Sequence, residues 1–478
     1  MKNVRVLVSL LLVLTLTVLQ VTTVVGASTS ITVGRNFLVT KDPRNQPQVE
    51  PSIAIDPRNA DVVVAGANDM RLFEGSFLPS GWAGFYRSTD GGRTWANTLI
   101  PGFPGDNSQQ GLASPLRGFQ FFFDSVLRFD SQGNLFYGGI VFTENTAAIF
   151  NGTYFVAKFV NDGATFKSIA IVQRGSGMAP FADKPFIFVD SANDNIYATW
   201  TNFTGASTIM AFSRSIDRGA TFSRPIALST PNLMQQQGNE HQGQFSYIAA
   251  VNNIIYVSWA EDAFGPFVND IIHRLVLVKS TDGGLHFTAP TQIVQVNDIP
   301  GTLPGNLFRA HTFPALATDE IGAKLFVAWA DFTPGNVDIL SVVSLDRGVT
   351  WSQPRRVNDV ATNSHFDPFV SFANSRLHIA WYDSRLGQLP NGAITALDVF
   401  YSTSSDFGQS FSPSIRITGR SFNPNLLIYI NQTRAFIGDY IWVDAVGSTA
   451  QIAWTDNRDV SSTTPRNSDI FTARITIP

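Results

Sequence analysis

The sequence predicts an all-β fold, a β-propeller of four-stranded blades, from a repeated phrase and a repeated hairpin. The phrase reads Ser-x-Asp-x-Gly-x-Thr-aromatic, with three close copies and three looser ones. The copies begin at Ser88, Ser215, Ser344, Phe159, Ser280 and Ser404, and successive copies stand 56 to 71 residues apart. A phrase that recurs at such a spacing indicates one supersecondary unit used many times.

A hydrophobic hairpin precedes the phrase in each unit. Pro185 and Trp200 frame one hairpin and Pro314 and Trp329 another, with the same spacing of 15 residues. A third strand then enters the phrase and a fourth leaves it, which makes one propeller blade. Hairpins begin near Pro51, Ser125, Pro185, Gln244, Pro314, Pro368 and Asp439. We therefore predict seven blades, with six blades and an irregular appendage as the alternative.

The seventh hairpin is followed by a third strand but by no copy of the phrase, so its blade lacks an outer strand. The segment Ile31–Val39 resembles the fourth strand at Ser352–Val357. We expect this N-terminal segment to join the last blade, because closing the ring removes an open edge strand.

Residues 1–27 have the pattern of a secretory signal peptide. Lys2 and Arg5 give a positive start, Val6–Val25 is apolar, and Gly26 and Ala27 are small residues at the cleavage position. An uncleaved membrane anchor is the alternative, since the apolar run is near the length of a spanning helix. The remaining residues, 28–478, are predicted to form a single domain that is secreted, extracellular or on the cell surface, with no further membrane span.

Composition narrows the classes of partner. The formal net charge is −4 over 478 residues, and a nucleic-acid partner is not expected because its binding needs a basic face. The chain contains no cysteine, so packing between blades rather than disulfides must hold it together. We expect a monomer.

The phrase resembles the Asp-box, or BNR repeat, of sialidase-like propellers. Hairpin motifs at Ala182–Phe186, Phe436–Tyr440 and Trp454–Arg458 resemble those of uncharacterised secreted members of that superfamily. The resemblance covers nearly all of residues 30–478. It implies that the phrase is a structural turn and that ligands bind on the opposite face of the propeller.

Three of the six histidines occupy one blade position on consecutive blades: His241, His311 and His365. Three imidazoles around a funnel could supply an acid or base, or bind Zn²⁺. The alternative is inheritance of the repeat, with each histidine hydrogen-bonded to its neighbouring blade. We treat the trio as candidate ligand-binding residues and expect no cofactor, with a metal ion as the alternative.

The motif Asp-x-Arg follows the second strand of three neighbouring blades and supplies Arg71, Arg385 and Arg458. Together they could clamp a carboxylate in bidentate fashion, as sialidases hold their sugar acid. The alternative is structural ion pairing within a blade, in which Asp398 would pair with Arg385 and Asp469 with Arg458. No such aspartate follows Arg71, which makes it the least constrained of the three.

Acidic residues recur where the first strands begin. The candidate catalytic residues are Glu50, Asp183, Asp367 and Asp439, and Asp124 and Glu240 lie near the same positions. Glycoside hydrolysis uses two carboxylates, or in sialidase-type enzymes a tyrosine activated by a carboxylate, so Tyr440 beside Asp439 joins them. Lys184, inside the Ala182–Phe186 motif, is a candidate ligand-binding residue. In the alternative interpretation these acids cap turns and solvate loop ends.

These observations predict a secreted sialidase-like propeller that binds or hydrolyses extracellular glycans on the face opposite the phrase. An enzymatic activity would be that of a glycoside hydrolase. The absence of the Phe/Tyr-Arg-Ile-Pro motif of true sialidases favours an alternative, a non-catalytic cell-surface recognition scaffold for protein or polysaccharide. A further alternative is a metal-dependent lyase or hydrolase built on the histidine trio.

Overall fold

A computed structural model describes residues 30–477 except 73–80, 146–147, 176–180, 205–206, 234–243, 265–270, 334–335, 428–434, 462 and 465. The predicted signal peptide, His241 and Glu240 therefore lie outside the described residues. The described residues form seven antiparallel sheets, each of them one blade. No helix among them is long and apolar enough to cross a membrane.

The strands follow the chain from blade to blade. Two short strands come first, β1 (Thr32–Val33) and β2 (Phe37–Leu38). Blade 1 contains β3 (Gln48–Asp56), β4 (Asn59–Asp69), β5 (Trp82–Ser88) and β6 (Ala96–Leu99). The helix α1 (Gln109–Ala113) leads to blade 2, which contains β7 (Phe121–Phe129), β8 (Leu135–Asn145), β9 (Ala148–Val160) and β10 (Thr165–Arg174). Blade 3 contains β11 (Phe181–Val189), β12 (Ile196–Phe203), β13 (Ser207–Ser215), β14 (Ile226–Ala227) and β15 (Asn232–Leu233).

The second half repeats the same plan. Blade 4 contains β16 (Gln244–Val251), β17 (Ile254–Phe264), β18 (Ile271–Ser280) and β19 (Thr291–Gln295). Blade 5 contains β20 (Ala315–Thr318), β21 (Leu325–Thr333), β22 (Asn336–Ser344) and β23 (Arg355–Arg356). Blade 6 contains β24 (His365–Ala373), β25 (Arg376–Asp383), β26 (Asp398–Ser404) and β27 (Ile415–Arg416). Blade 7 contains β28 (Trp442–Val446), β29 (Thr449–Asp456) and β30 (Asp469–Thr476).

The N-terminal strands close the ring. Thr32 of β1 pairs with Thr476 of β30, and Phe37 of β2 pairs with Thr472 of the same strand. Blade 7 thus receives its outer strand from the start of the chain. The predictions of seven blades and of N-terminal closure are confirmed, and the six-blade alternative is wrong.

The repeated phrase forms a turn between the third and fourth strands, called here the repeat turn. In blade 5, Ser344 Oγ donates to Asp346 Oδ1 at 2.8 Å, and the amide of Gly348 donates to Ser344 Oγ at 2.8 Å. The amide of Thr350 donates to the same aspartate oxygen at 2.8 Å, and Gly348 has a φ of 82°. The serine and aspartate of this turn therefore serve to cap backbone amides.

Antiparallel pairing sets the two faces of the propeller. The repeat turns lie where third strands end, and we call this side the lower face. First strands begin, and second strands end, on the opposite upper face. Five second-strand tryptophans are fully buried between blades: Trp200, Trp259, Trp329, Trp381 and Trp454. The hydrophobic core thus lies between adjacent sheets, and it holds the first strands around a central channel.

Candidate functional site

Left-handed backbone conformations recur where the first strands begin on the upper face. Five residues there have a φ between 49° and 59°, and each lies in a β-bulge of its first strand: Glu50, Asp124, Lys184, Phe245 and Asp367. A left-handed non-glycine residue costs roughly 1–3 kcal/mol, and bulges re-aim side chains beside functional sites. In blade 7 Gly438 has a φ of 91°, and an added Cβ would lie 2.7 Å from Glu50 Cγ.

Lys184 stands among three carboxylates from three different blades. Its Nζ lies 2.7 Å from Asp439 Oδ2, 3.5 Å from Asp124 Oδ1 and 3.9 Å from Glu50 Oε1. Burial alone would lower the pKa of Lys184, but these surrounding carboxylates raise it well above its ordinary value. The ammonium group is therefore charged and ties blade 3 to blades 1, 2 and 7.

Asp439 is the anionic centre of the cluster. Arg309 approaches it in bidentate fashion, with Nε and Nη2 each 2.5 Å from a carboxylate oxygen, and His311 Nε2 lies 3.5 Å from Oδ1. Burial would raise the pKa of Asp439, but Arg309 and Lys184 hold it well below its usual range. Sequence reasoning did not find Arg309, which lies in a long loop outside the repeat. Its position two residues before His311 was the available signal.

Three other carboxyl groups of the cluster are shifted the other way. Burial is the main cause of a raised pKa at Glu50, Asp183 and Asp367, and for Asp183 the pKa reaches about 6. Glu50 Oε2 accepts a hydrogen bond of 2.5 Å from Asn68 Nδ2. Asp367 is 6% exposed, and neither of its carboxyl oxygens has a hydrogen-bond partner among the described residues. Burial thus favours the protonated form of Asp367.

Tyr440 pairs with an acid from another blade. Its hydroxyl donates to Asp124 Oδ1 at 3.0 Å, the same oxygen that lies 3.5 Å from Lys184 Nζ. Burial, and next the charge of Asp124, raise the pKa of Tyr440 well above its ordinary value. The sequence had suggested a partnership with the adjacent Asp439. The described contacts give Tyr440 the partner Asp124 from another blade instead.

Aromatic rings enclose the cluster from the side and from below. Lys184 Nζ lies 4.9 Å from the centre of the Phe245 ring, and the rings of His311 and Phe313 stack at 4.8 Å. Beneath them four rings cross the channel with neighbouring centres 4.1 to 5.6 Å apart, and we call them the aromatic layer: Phe186, Tyr247, Phe369 and Trp442. The ionic cluster therefore rests on an apolar floor.

The three predicted arginines do not converge with this cluster in the described contacts. Each instead binds the aspartate of its own Asp-x-Arg motif, at 2.5 Å for Arg71, 2.7 Å for Arg385 and 2.5 Å for Arg458. Structural pairing is thus observed, but the expected partners were wrong. Asp398 pairs with Arg416 at 2.7 Å, and Asp469 accepts a hydrogen bond from Thr40. Arg71 is as firmly paired as the other two.

The two histidines of the trio that the structure describes, His311 and His365, have different environments. His365 is fully buried, its Nδ1 donates to the carbonyl of Val337 in blade 5 at 2.9 Å, and its Nε2 lies 3.4 Å from Asp383. This is the bond to a neighbouring blade that repeat inheritance implies, and burial lowers the pKa of His365. His311 faces Asp439 instead. Within the described ranges, no group of three or more His, Cys, Asp or Glu side chains could hold a metal ion.

Known structures share the architecture. No family model matches the sequence, and no curated protein matches it. An ulvan lyase of polysaccharide lyase family PL25, bound to -[GlcA(1-4)Rha3S]-, is similar with a TM-score of 0.50 and 12% identity over 89% of this chain and 93% of that one. A protein of unknown function from Dyadobacter fermentans DSM 18053 has a TM-score of 0.48 and 11% identity, over 94% and 99% of the two chains. An α-L-arabinanase of Penicillium chrysogenum has a TM-score of 0.48 and 11% identity, over 73% and 94%. At these identities the likeness supports the fold alone.

Proposed function

We propose that the protein binds a glycan at the upper mouth of its channel and hydrolyses a glycosidic bond there. The observation that carries this proposal is Asp367, a buried carboxyl without a described partner, in one cluster with the ionised Asp439. Carboxyl groups pushed to opposite protonation states are the usual mark of acid and base roles in glycoside hydrolysis. Export by residues 1–27 and an extracellular location are part of the same proposal.

The contacts suggest a role for each group. Asp367 would protonate the leaving glycosidic oxygen as the anomeric bond breaks. Tyr440 would attack the anomeric carbon while its phenolic proton passes to Asp124, because its raised pKa keeps it protonated until a base accepts that proton. Water would then attack the anomeric carbon and give one proton to Asp367, while the bond to Tyr440 breaks and the phenolic oxygen takes its proton back from Asp124. Asp439, held ionised by Lys184 and Arg309, would stabilise the positive charge that develops at the anomeric carbon, and Lys184 would also position Asp124.

Charge in the cluster favours a neutral glycan over a sialic or uronic acid. Lys184 and Arg309 both bind Asp439, and Arg71, Arg385 and Arg458 each bind their own aspartate. A substrate carboxylate would therefore have to displace an existing ion pair in a region that is already rich in acids. Sialidase activity, which the resemblance implies, is the weaker form of the proposal for this reason.

A recognition scaffold is the second candidate, and the compactness of the cluster favours it. The recess between the ionic cluster and the aromatic layer measures only about 20 Å³. Its cations and carboxylates bind one another across blades, as they would in a purely structural hub. A glycan or protein would then bind above the cluster without any bond being broken.

The test is a turnover screen of purified protein on neutral glycosides and polysaccharides, beside sialosides and uronate polymers. We expect turnover of a neutral substrate, and loss of general-acid catalysis should lower the rate about 10²–10⁴-fold in Asp367→Asn. Asp61→Asn, at an exposed acid on the lower face, is the matched control. Equal turnover by Asp367→Asn would contradict the assignment of the acid. Binding on a glycan array without turnover would establish the scaffold instead.

A further inference from the structure

The aromatic layer divides the channel into two compartments, and the lower one is the larger. The lower compartment is a cavity of about 390 Å³ lined by residues of all seven first strands or the turns that follow them. Pro57, Ser131 and Ser191 line it near the lower face, and Phe186, Tyr247 and Phe369 form its roof. Its volume falls within the roughly 300–1,000 Å³ typical of small-molecule sites.

Arg128 brings an incompletely satisfied cation into this compartment. Its guanidinium lies over three rings, 5.0 Å from the centre of Trp442, 5.5 Å from Phe186 and 5.9 Å from Phe188. Its one hydrogen bond to a described residue runs from Nη1 to the carbonyl of Leu127 at 3.0 Å, and no ion pair joins it to a described carboxylate. A guanidinium has five N–H donors, so most of them have no acceptor among the described residues.

The acids around the cavity are committed elsewhere. Asp444 Oδ2 accepts from the amide of Ile55 at 2.8 Å, and Asp130 accepts from the amides of Gln132 and Asn134. Asp319 accepts from the amides of Ala323 and Lys324. Burial lowers the pKa of Arg128, and the charge of Asp444 offsets this only in part. Arg128 therefore makes no ion pair with a described carboxylate, although four acids line the same compartment.

The walls decide what kind of anion fits. The charged residues of the lining are Arg128, Asp130, Asp319, Glu320 and Asp444. Much of the rest is apolar, with Ile55, Ala249 and Ala317 on three different blades. A carboxylate matches the planar fork of a guanidinium in bidentate fashion, and an apolar body would cover the walls. Inorganic phosphate would satisfy the arginine but would leave the apolar walls unoccupied.

We propose that the lower compartment is a second ligand site, distinct from the upper cluster, for a small organic carboxylate whose carboxyl group pairs with Arg128. The aromatic layer separates this site from Tyr440 and Lys184. The inference does not depend on the glycan activity, because it uses the opposite end of the channel and other residues.

Calorimetric titration of the purified protein with benzoate tests the site, with benzamide as the neutral isostere and inorganic phosphate as the second probe. We expect saturable benzoate binding at one site per chain, and at least tenfold weaker binding of the other two. Because a charged hydrogen-bonded pair is lost, Arg128→Gln should weaken benzoate binding about 10- to 100-fold. Arg355→Gln, at an exposed arginine of the outer strand β23, should bind benzoate as the wild type does.

A cavity-filling variant provides a second test in case Arg128→Gln does not fold. Ala317→Phe keeps Arg128 but occupies the compartment, so it should also abolish benzoate binding while retaining cooperative unfolding. Absent benzoate binding in the wild type would overturn the proposal. So would equal binding of benzamide, tighter binding of phosphate, or full affinity in either channel variant.

Discussion

Strained residues at the start of the first strands carry most of the chemistry of this molecule. Of the five left-handed residues at the start of first strands, Glu50, Lys184 and Asp367 are each followed by proline, so an ionisable residue before proline marks them in the sequence. Their bulges turn three ionisable groups toward one point instead of alternating them across a sheet. The strain is compensated by the ion pairs that Lys184 makes across blades.

Replacement of Asp367 should reveal its raised pKa as a pH-dependent stability difference. A carboxyl whose pKa rises on folding favours the folded state at low pH and opposes it as the pH climbs from about 4 through the raised value. Asp367→Asn removes that opposition, since the amide resembles the protonated acid. We compare the free energy of unfolding of the variant with that of the wild type at each pH. This difference should favour the variant by about 1–3 kcal/mol more at pH 8 than at pH 4.

Denaturant unfolding of both proteins at the two pH values measures this difference. Asp61→Asn is the control, because that acid is 58% exposed and pairs with Arg474 on the surface. A gain at pH 8 no larger than that at pH 4 would show that Asp367 is ionised in the folded protein.

At the scale of the element, four second strands carry an acid two residues after a buried tryptophan, and the indole holds that acid in place. Trp381 Nε1 donates to Asp383 at 3.0 Å and Trp454 Nε1 to Asp456 at 2.8 Å, and each aspartate then binds the arginine two residues after it. Trp259 with Glu261 and Trp329 with Asp331 make the same first bond. The buried tryptophan therefore orients the acid, and the acid orients the arginine.

Arg385→Ala should destabilise the protein by about 3 kcal/mol, because Asp383 is fully buried and would lose its cationic partner. Arg71→Ala should cost a similar amount, since Arg71 makes the same bond to the buried Asp69. Arg355→Ala, on the exposed strand β23, should stay within about 0.5 kcal/mol of wild type. Unfolding midpoints in urea compare the three. An unchanged midpoint for Arg71→Ala would show that Arg71 is not needed for stability and would support its assignment as a ligand-binding residue.

At the scale of the whole molecule, one seam closes the ring. Removing residues 30–40 deletes β1 and β2, the fully buried Val39, and the bond from Thr40 to Asp469. We expect the truncated chain to lose more than about 3 kcal/mol of stability and to self-associate through the bare edge of β30. Thermal unfolding and light scattering measure the two effects. Val39→Ala should cost about 2 kcal/mol as a point control, while the more exposed Leu38→Ala costs less.

Carboxyl groups on the two faces of the ring have pKa values shifted in opposite directions. The stability of the protein should therefore be highest in mildly acidic solution. On the lower face the hydrogen bonds of the repeat turns lower the pKa of Asp90 and Asp346 to about 2, so their stabilisation is lost as the pH falls from about 4. Burial raises the pKa of Asp183 to about 6 and of Asp469 to about 7, and their contribution is lost as the pH rises through those values. We expect unfolding midpoints to peak near about pH 4–5. Midpoints that rise steadily to pH 8 would contradict this balance.

Sequence reasoning reached the fold because its signals are local and repeated. The turn phrase, the hairpins and the N-terminal strand each depend on hydrogen bonds or packing within one blade, so spacing alone placed all seven blades. It also placed Glu50, Lys184, Asp367, Asp439 and Tyr440 at the upper mouth. It paired Arg385 and Arg458 with the wrong acids, since side-chain direction at a strand end is not visible in spacing.

The chain by itself determined the seven blades, their closure and the charged ring, because periodicity and turn chemistry act over a few residues. Only the tertiary structure decided the partners. Tyr440 and Asp124 are 316 residues apart, Lys184 and Asp439 are 255, and Arg309 and Asp439 are 130. Such contacts arise when the ring closes and first strands from different blades meet at the axis. The same closure desolvates Asp367 and isolates Arg128 beneath the aromatic layer, and no local pattern encodes either result.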